Sequence, residues 1–132
     1  MIGYFGDIIF ETSDKKILNF TDMSREASSR FATHELIGQK PKDEFIGPGL
    51  DTISFTINLN ASFGVNVRQE LDKWIELVRN GMAHTLVVGG KKLGVDKWKI
   101  KSVSESFGTI FQQGQIYSGK INVNLEEYIS TL

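Results

Sequence analysis

The sequence contains no cysteine, only two histidines and only two prolines among its 132 residues. Without cysteine there is no disulfide and no thiolate nucleophile or metal ligand, a pattern that suits a reducing cytosol. His34 opens His34-Glu35-Leu36-Ile37-Gly38, which begins like a zinc-protease helix motif. Gly38 stands where the second histidine is required, and His84 lies far along the chain beside a predicted turn, where it reads as a surface residue, so no metal site is expected. Neither sign of charge dominates: 15 Lys+Arg against 16 Asp+Glu leave a formal net charge of −1. That balance gives no long-range attraction to nucleic acid or to a membrane surface. No apolar run approaches the roughly 20 residues that a membrane-spanning helix needs. The first residues, Met1-Ile2-Gly3-Tyr4-Phe5-Gly6-Asp7, have no basic or continuously apolar segment, so no secretory signal is predicted. The sequons at Asn19 and Asn60 then carry no expectation of glycosylation.

What is present is an ordinary globular composition, 40% hydrophobic and 23% charged, read as a single domain over residues 1–132. Its organising stretch is Phe45 to Leu59. Gly47-Pro48-Gly49 reads as a tight turn, with Pro48 and Gly49 at the central positions of a type II or related geometry and a positive φ at Gly47 or Gly49. After it, Ile53, Phe55, Ile57 and Leu59 alternate with Thr52, Ser54, Thr56, Asn58 and Asn60. That is a strand with one buried and one wet face, expected in the interior of a sheet.

One helix is predicted over about 67–79. Val67, Leu71, Trp74, Ile75 and Val78 form one apolar stripe, with Asn66 as N-cap, Gln69 placed for a capping box and Gly81 as left-handed cap. Ile8 to Glu11 and Ile17 to Phe20 read as a hairpin around a polar turn at 13–16. Residues 21–30 read as an extended crossing strand or a loop, 30–37 as strand-like, and Gln39 to Glu44 as a polar link. Gly89-Gly90 reads as the turn of a second hairpin, in which Thr85-Leu86-Val87-Val88 and Leu93-Gly94-Val95 flank Gly89-Gly90-Lys91-Lys92. Trp98, Ile100 and Phe107 mark a further strand region, and Tyr117 to Leu125 alternate through a last strand. The order of elements predicts an α+β fold, mainly an antiparallel sheet or sandwich with one amphipathic helix packed on it.

No catalytic constellation emerges. Gly89-Gly90-Lys91-Lys92 lacks the Ser/Thr and the following helix of a phosphate loop, and Gly47-x-Gly49 lacks the rest of a dinucleotide fingerprint. No Gly-x-Ser-x-Gly elbow is present. Asp43-Glu44 and Glu126-Glu127 are neighbours whose side chains diverge on a strand. The candidate functional residues belong instead to surfaces. Phe45 and Ile46, held just before the rigid Gly47-Pro48-Gly49, read as an exposed anchor for a partner. Lys97, Lys99 and Lys101 form a basic stripe, which is either a solvated sheet face or a contact for an acidic protein neighbour. Aromatic residues do not interleave with it as single-stranded nucleic acid would require.

Phe45-Ile46-Gly47-Pro48-Gly49-Leu50-Asp51-Thr52-Ile53 resembles the F-[LI]-G-P-G-x-D-T-I signature of the GpU family of phage tail proteins, found in contractile-tailed phages and phage-tail-like bacteriocins. Gly6-Asp7-Ile8-Ile9-Phe10, the helix, Gly94-Val95-Asp96-Lys97-Trp98 and the last strand before Tyr128 follow in the family's order. Residues 39–44 depart from an Arg-Arg-Pro pattern and keep Pro41 between Lys40 and Lys42. The resemblance implies a non-enzymatic structural part of a contractile tail, without cofactor or metal. It implies placement near the baseplate in several copies around the tail axis, against tube, hub or spike and neighbouring baseplate proteins. It also implies synthesis in the bacterial cytoplasm and assembly into a virion tail or tail-like particle. The alternative from a different class is a stand-alone α+β domain that binds a small ligand or peptide.

Overall fold

The computed structural model describes residues 3–12, 17–18, 20–94, 96–108, 110 and 114–129. In chain order its strands are β1 (Gly3–Phe5), β2 (Ile8–Thr12), β3 (Ile17–Leu18), β4 (Phe20–Glu26), β5 (Ser29–His34), β6 (Lys42–Pro48) and β7 (Thr52–Asn60). A 3-10 turn (Ala61–Phe63) leads to the helix α1 (Val67–Asn80). The chain continues with β8 (Ala83–His84), β9 (Leu86–Val88), β10 (Lys91–Lys92), β11 (Lys97–Phe107) and β12 (Ser118–Tyr128). All strand pairs are antiparallel, and one helix accompanies them, which is the α+β arrangement read from the sequence.

The main sheet has the order β4-β7-β12-β11-β8, and a smaller one has the order β10-β9-β1-β2-β3. β7 is interior, paired along its length with β12 and on its other side with β4. Its period-two alternation decides the two faces. Ile53, Phe55, Ile57 and Leu59 are buried, as are Ile121, Val123 and Leu125 of β12. The opposite face is a pavement of hydroxyls and amides joined across strands. Ser24 and Ser54 lie 2.8 Å apart, Thr56 Oγ1 donates to Asn122 Oδ1 at 2.9 Å, and Asn124 Nδ2 donates to Ser102 Oγ at 3.0 Å.

The apolar face is covered by α1 and by residues of the smaller sheet. Phe5, Ile8, Phe10 and Leu86 join Val67, Leu71 and Trp74 in one buried cluster with the main-sheet residues. Trp74 is fully buried, stacked on Phe5 at 6.0 Å and edge-on to Phe55 at 6.2 Å. The caps of α1 are those expected: Asn66 Oδ1 accepts from the Gln69 amide at 3.2 Å, and Gly81 follows at φ 68°. Ile75 and Val78 are half-buried, and Glu70 joins the buried face, where Lys73 Nζ reaches Glu70 Oε1 at 3.4 Å. The Gly89-Gly90 turn has positive φ at both residues (63° and 79°), as a tight hairpin loop requires, and joins β9 to β10.

Several expectations are corrected. Of the two readings of residues 21–30, the strand holds for 20–26, where Ser24, Arg25 and Glu26 find backbone partners in Ser54, Ile53 and Thr52. The second arm of the later hairpin is Lys91–Lys92 rather than the segment from Leu93. Gly47-Pro48-Gly49 is not a tight turn. β6 continues through Gly47 and Pro48 after a bulge at Ile46, and the positive φ expected at Gly47 or Gly49 falls on Gly47, at 159°, the border of extended backbone. Gly49, where a type II turn needs a positive φ, is not among the positive-φ glycines. His84 is half-buried and edge-on to the Phe5 ring at 5.4 Å rather than a free surface residue. The polar turn at 13–16 lies outside the described residues, as does Val95.

Candidate assembly surface

β5 and β6 pair with each other as a separate two-stranded ribbon. Except for Ala32 and Gly47, every residue of the two strands is exposed. Such a ribbon is marginal alone in water and gains stability by packing on something. Its local order comes from cross-strand contacts. Phe31 faces Phe45 with ring centroids 5.5 Å apart, Thr33 Oγ1 donates to Asp43 Oδ1 at 3.0 Å, and His34 Nε2 lies 2.9 Å from Glu44 Oε2.

The signature residues build the base of this ribbon. Gly49 is needed for close approach. Its amide donates to the Ser28 carbonyl at 2.8 Å, and a Cβ there would collide with Ser28 Oγ. Gly47 leaves room for Arg30, whose Nε donates to the Pro48 carbonyl at 3.1 Å and whose guanidinium would stand 3.2 Å from an added Cβ. Asp51 ties the base to the sheet. Arg25 donates to Asp51 Oδ2 through Nε at 3.0 Å and Nη2 at 2.6 Å. Asp51 N–H donates to the buried Glu127 carboxylate at 2.7 Å, and Glu127 N–H returns a bond to the Asp51 carbonyl at 3.0 Å. Adjacent Glu126 turns the other way, which is the divergence expected of neighbouring strand residues.

Phe45 and Ile46 are 60% and 57% exposed, Pro48 is exposed, Gly47 is buried and Gly49 half-buried. The exposed apolar surface is larger than the sequence suggested: Phe31, Leu36 and fully exposed Ile37 belong to the same ribbon. Two signals could have pointed to them. Phe31 needs a cross-strand partner, and Leu36-Ile37 interrupts an otherwise polar tip. Phe31, Leu36, Ile37, Phe45 and Ile46 thus expose apolar surface on a ribbon whose base is polar.

The lysine stripe is partly compensated. Lys99 Nζ lies 3.0 Å from Glu126 Oε1, and Lys101 Nζ 3.9 Å from Glu126 Oε2. A bulge between Ile100 and Ser102 breaks the period of two, so the three lysines do not form a regular row. Lys97 lies opposite Tyr128 at the start of β11. The stripe and the ribbon are therefore separate features rather than one patch in the local pairing.

Among the described residues, no group of three or more His, Cys, Asp or Glu side chains is placed to hold a metal ion, and no helix is long and apolar enough to cross a membrane.

A family model described as Phage P2 GpU matches residues 6–130. The chain belongs to the GpU family of phage tail proteins. The match covers the ribbon, its base, the main sheet and the smaller sheet apart from β1. A GpU protein is a structural part of a phage tail and works among other tail proteins. No curated protein matches the chain at a significant level.

Proposed function

We propose that this chain is a non-enzymatic structural component of a contractile tail or tail-like particle, seated near the baseplate against tube and hub proteins. It acts as one domain over residues 1–132, is made in the bacterial cytoplasm and is carried into the particle in several copies. The observation that carries this reading is the β5–β6 ribbon, anchored through Asp51 and presenting Phe31, Phe45 and Ile46 to solvent. Burying one such side chain fully contributes about 1.5–3 kcal/mol. Together they offset part of the entropy lost on docking. Lys97, Lys99 and Lys101, a feature separate from the ribbon, supply a secondary contact for an acidic neighbour, and Gly47-Pro48-Gly49 belongs to the ribbon contact.

The test is a particle carrying Phe45→Ser and Ile46→Ser. Both sites are exposed, so the purified variant is expected to keep its thermal stability. Particles made with it should lack this chain or be defective at the baseplate end. Normal, contracting particles that contain the doubly substituted chain would overturn the contact role of the ribbon. Particles in which the chain is located away from the baseplate would overturn the placement.

A further inference from the structure

The tip of the ribbon and a cleft beside α1 have complementary chemistry. The tip, Leu36-Ile37-Gly38-Gln39-Lys40-Pro41-Lys42, carries two cations and two exposed aliphatic side chains, with exposed Glu35 and Asp43 at its flanks. The cleft has a volume of about 230 Å³ and is lined by Asp72 of α1 and Glu105 of β11, with Phe107 and Ile110 on its rim. Phe107 and Ile110 are each more than half exposed. Among the described residues, Glu105 Oε2 is closed off from solvent and has no hydrogen-bond partner. Arg68 also lines the cleft, but no described ion pair joins it to either carboxylate. Two carboxylates thus face one guanidinium. Loss of hydration raises the Glu105 carboxyl above its ordinary range, and the nearby Asp72 charge raises it further. A cation brought close to the two carboxylates would favour their charged forms and so oppose this rise.

The two features lie at opposite corners of the main sheet. The ribbon leaves beside the Glu26–Thr52 pair at the β4 edge, whereas the cleft lies beside the Phe107–Gly119 pair on β11. Between them runs the length of β7, nine residues or about 30 Å, and the width of the sheet. The cleft therefore receives the tip of another copy more readily than its own.

We propose that the ribbon tip of one copy docks in the Asp72–Glu105 cleft of a second copy, with Lys40 and Lys42 meeting the carboxylates and Leu36 and Ile37 covering Phe107 and Ile110. The contact is head-to-tail: each copy offers a tip and a cleft, so repetition gives a ring if the rotation closes and a filament if it does not. The inference deepens the assembly reading above and rests on it, but its test uses the purified chain alone. Failure of the test therefore removes self-docking without touching placement near the baseplate.

The absence of cysteine makes the test direct. Ile37→Cys and Phe107→Cys chains, mixed under mild oxidation, should form the mixed disulfide dimer well above either homodimer, with a yield that falls as salt rises. Lys40→Glu with Lys42→Glu in the Ile37→Cys chain should lower that yield about tenfold, and Asp72→Lys with Glu105→Lys in the Phe107→Cys chain should restore it. Circular dichroism checks that each variant is folded. Should the cleft reversal unfold the chain, the salt dependence of the original pair still decides. No excess of the mixed dimer over the homodimers, or a yield unchanged by tip reversal and by salt, would overturn the proposal. So would a tip that cross-links in particles only to a different protein.

Discussion

Replacing Trp74 with alanine removes the largest side chain at the point where α1, the smaller sheet and β7 meet. The indole has no solvent exposure and touches Phe5 and Phe55. A buried Trp→Ala change typically costs about 3–5 kcal/mol. One feature shifts the expectation towards the lower end: among the described residues, the indole Nε1 has no hydrogen-bond acceptor. A buried donor without a partner is a liability of roughly 1–3 kcal/mol, which the substitution removes along with the ring. About 3 kcal/mol is the expected net loss, and Trp74→Phe should lose clearly less because it keeps a ring without the orphan N–H. Trp98 remains as a fluorescent probe, so urea unfolding can follow both variants. With a slope of about 2 kcal/mol per M, the alanine midpoint should fall by about 1.5 M. A fall below about 0.3 M with an unchanged slope would refute the burial of this side chain. A Trp74→Phe variant less stable than Trp74→Ala would refute the argument from the unpaired N–H.

Gly49→Ala should be destabilised through contact with Ser28 rather than through backbone strain. Adding Ser28→Ala should recover part of the loss, and a double-mutant cycle with no coupling would remove this explanation. Glu127→Ala leaves the Asp51 amide without its acceptor and should cost about 1–3 kcal/mol by thermal or urea unfolding. Arg25→Ala should cost less, as its ion pair with Asp51 is partly exposed, and the two effects should not add. The raised carboxyl of Glu105 means that the folded chain holds this proton more tightly than the unfolded chain. Its contribution to stability is therefore lost as pH rises from the ordinary carboxylate range through the higher folded value. Glu105→Gln should melt higher than the parent at neutral pH, with the gap closing in acid; a gap that widens on acidification would contradict the assigned cause.

The parts of this protein legible in its sequence are those whose signal is local. The alternation from Thr52 to Asn60 needs only a period of two to predict which face is buried, and the structure places Ile53, Phe55, Ile57 and Leu59 inside. The stripe and caps of α1 lie within fifteen residues of one another, and the Gly89-Gly90 turn is set by its own backbone. The exposure of Phe45 and Ile46 was readable because these apolar residues precede a short glycine- and proline-containing segment. What only the tertiary structure decided depends on partners distant in the chain. Residues 20–26 have no strong pattern of their own and become a strand because β7 offers its edge. Gly47 and Gly49 look like turn residues, yet Arg30 and Ser28 across the ribbon base explain them by space. The lysine row is interrupted by a bulge that no sequence period announces, and Glu126 then answers two of its charges. Asp51, Arg25 and Glu127 meet only once β4, β7 and β12 are in register. Side-chain period is a property of each strand by itself, whereas register and the space between strands are properties of the pair.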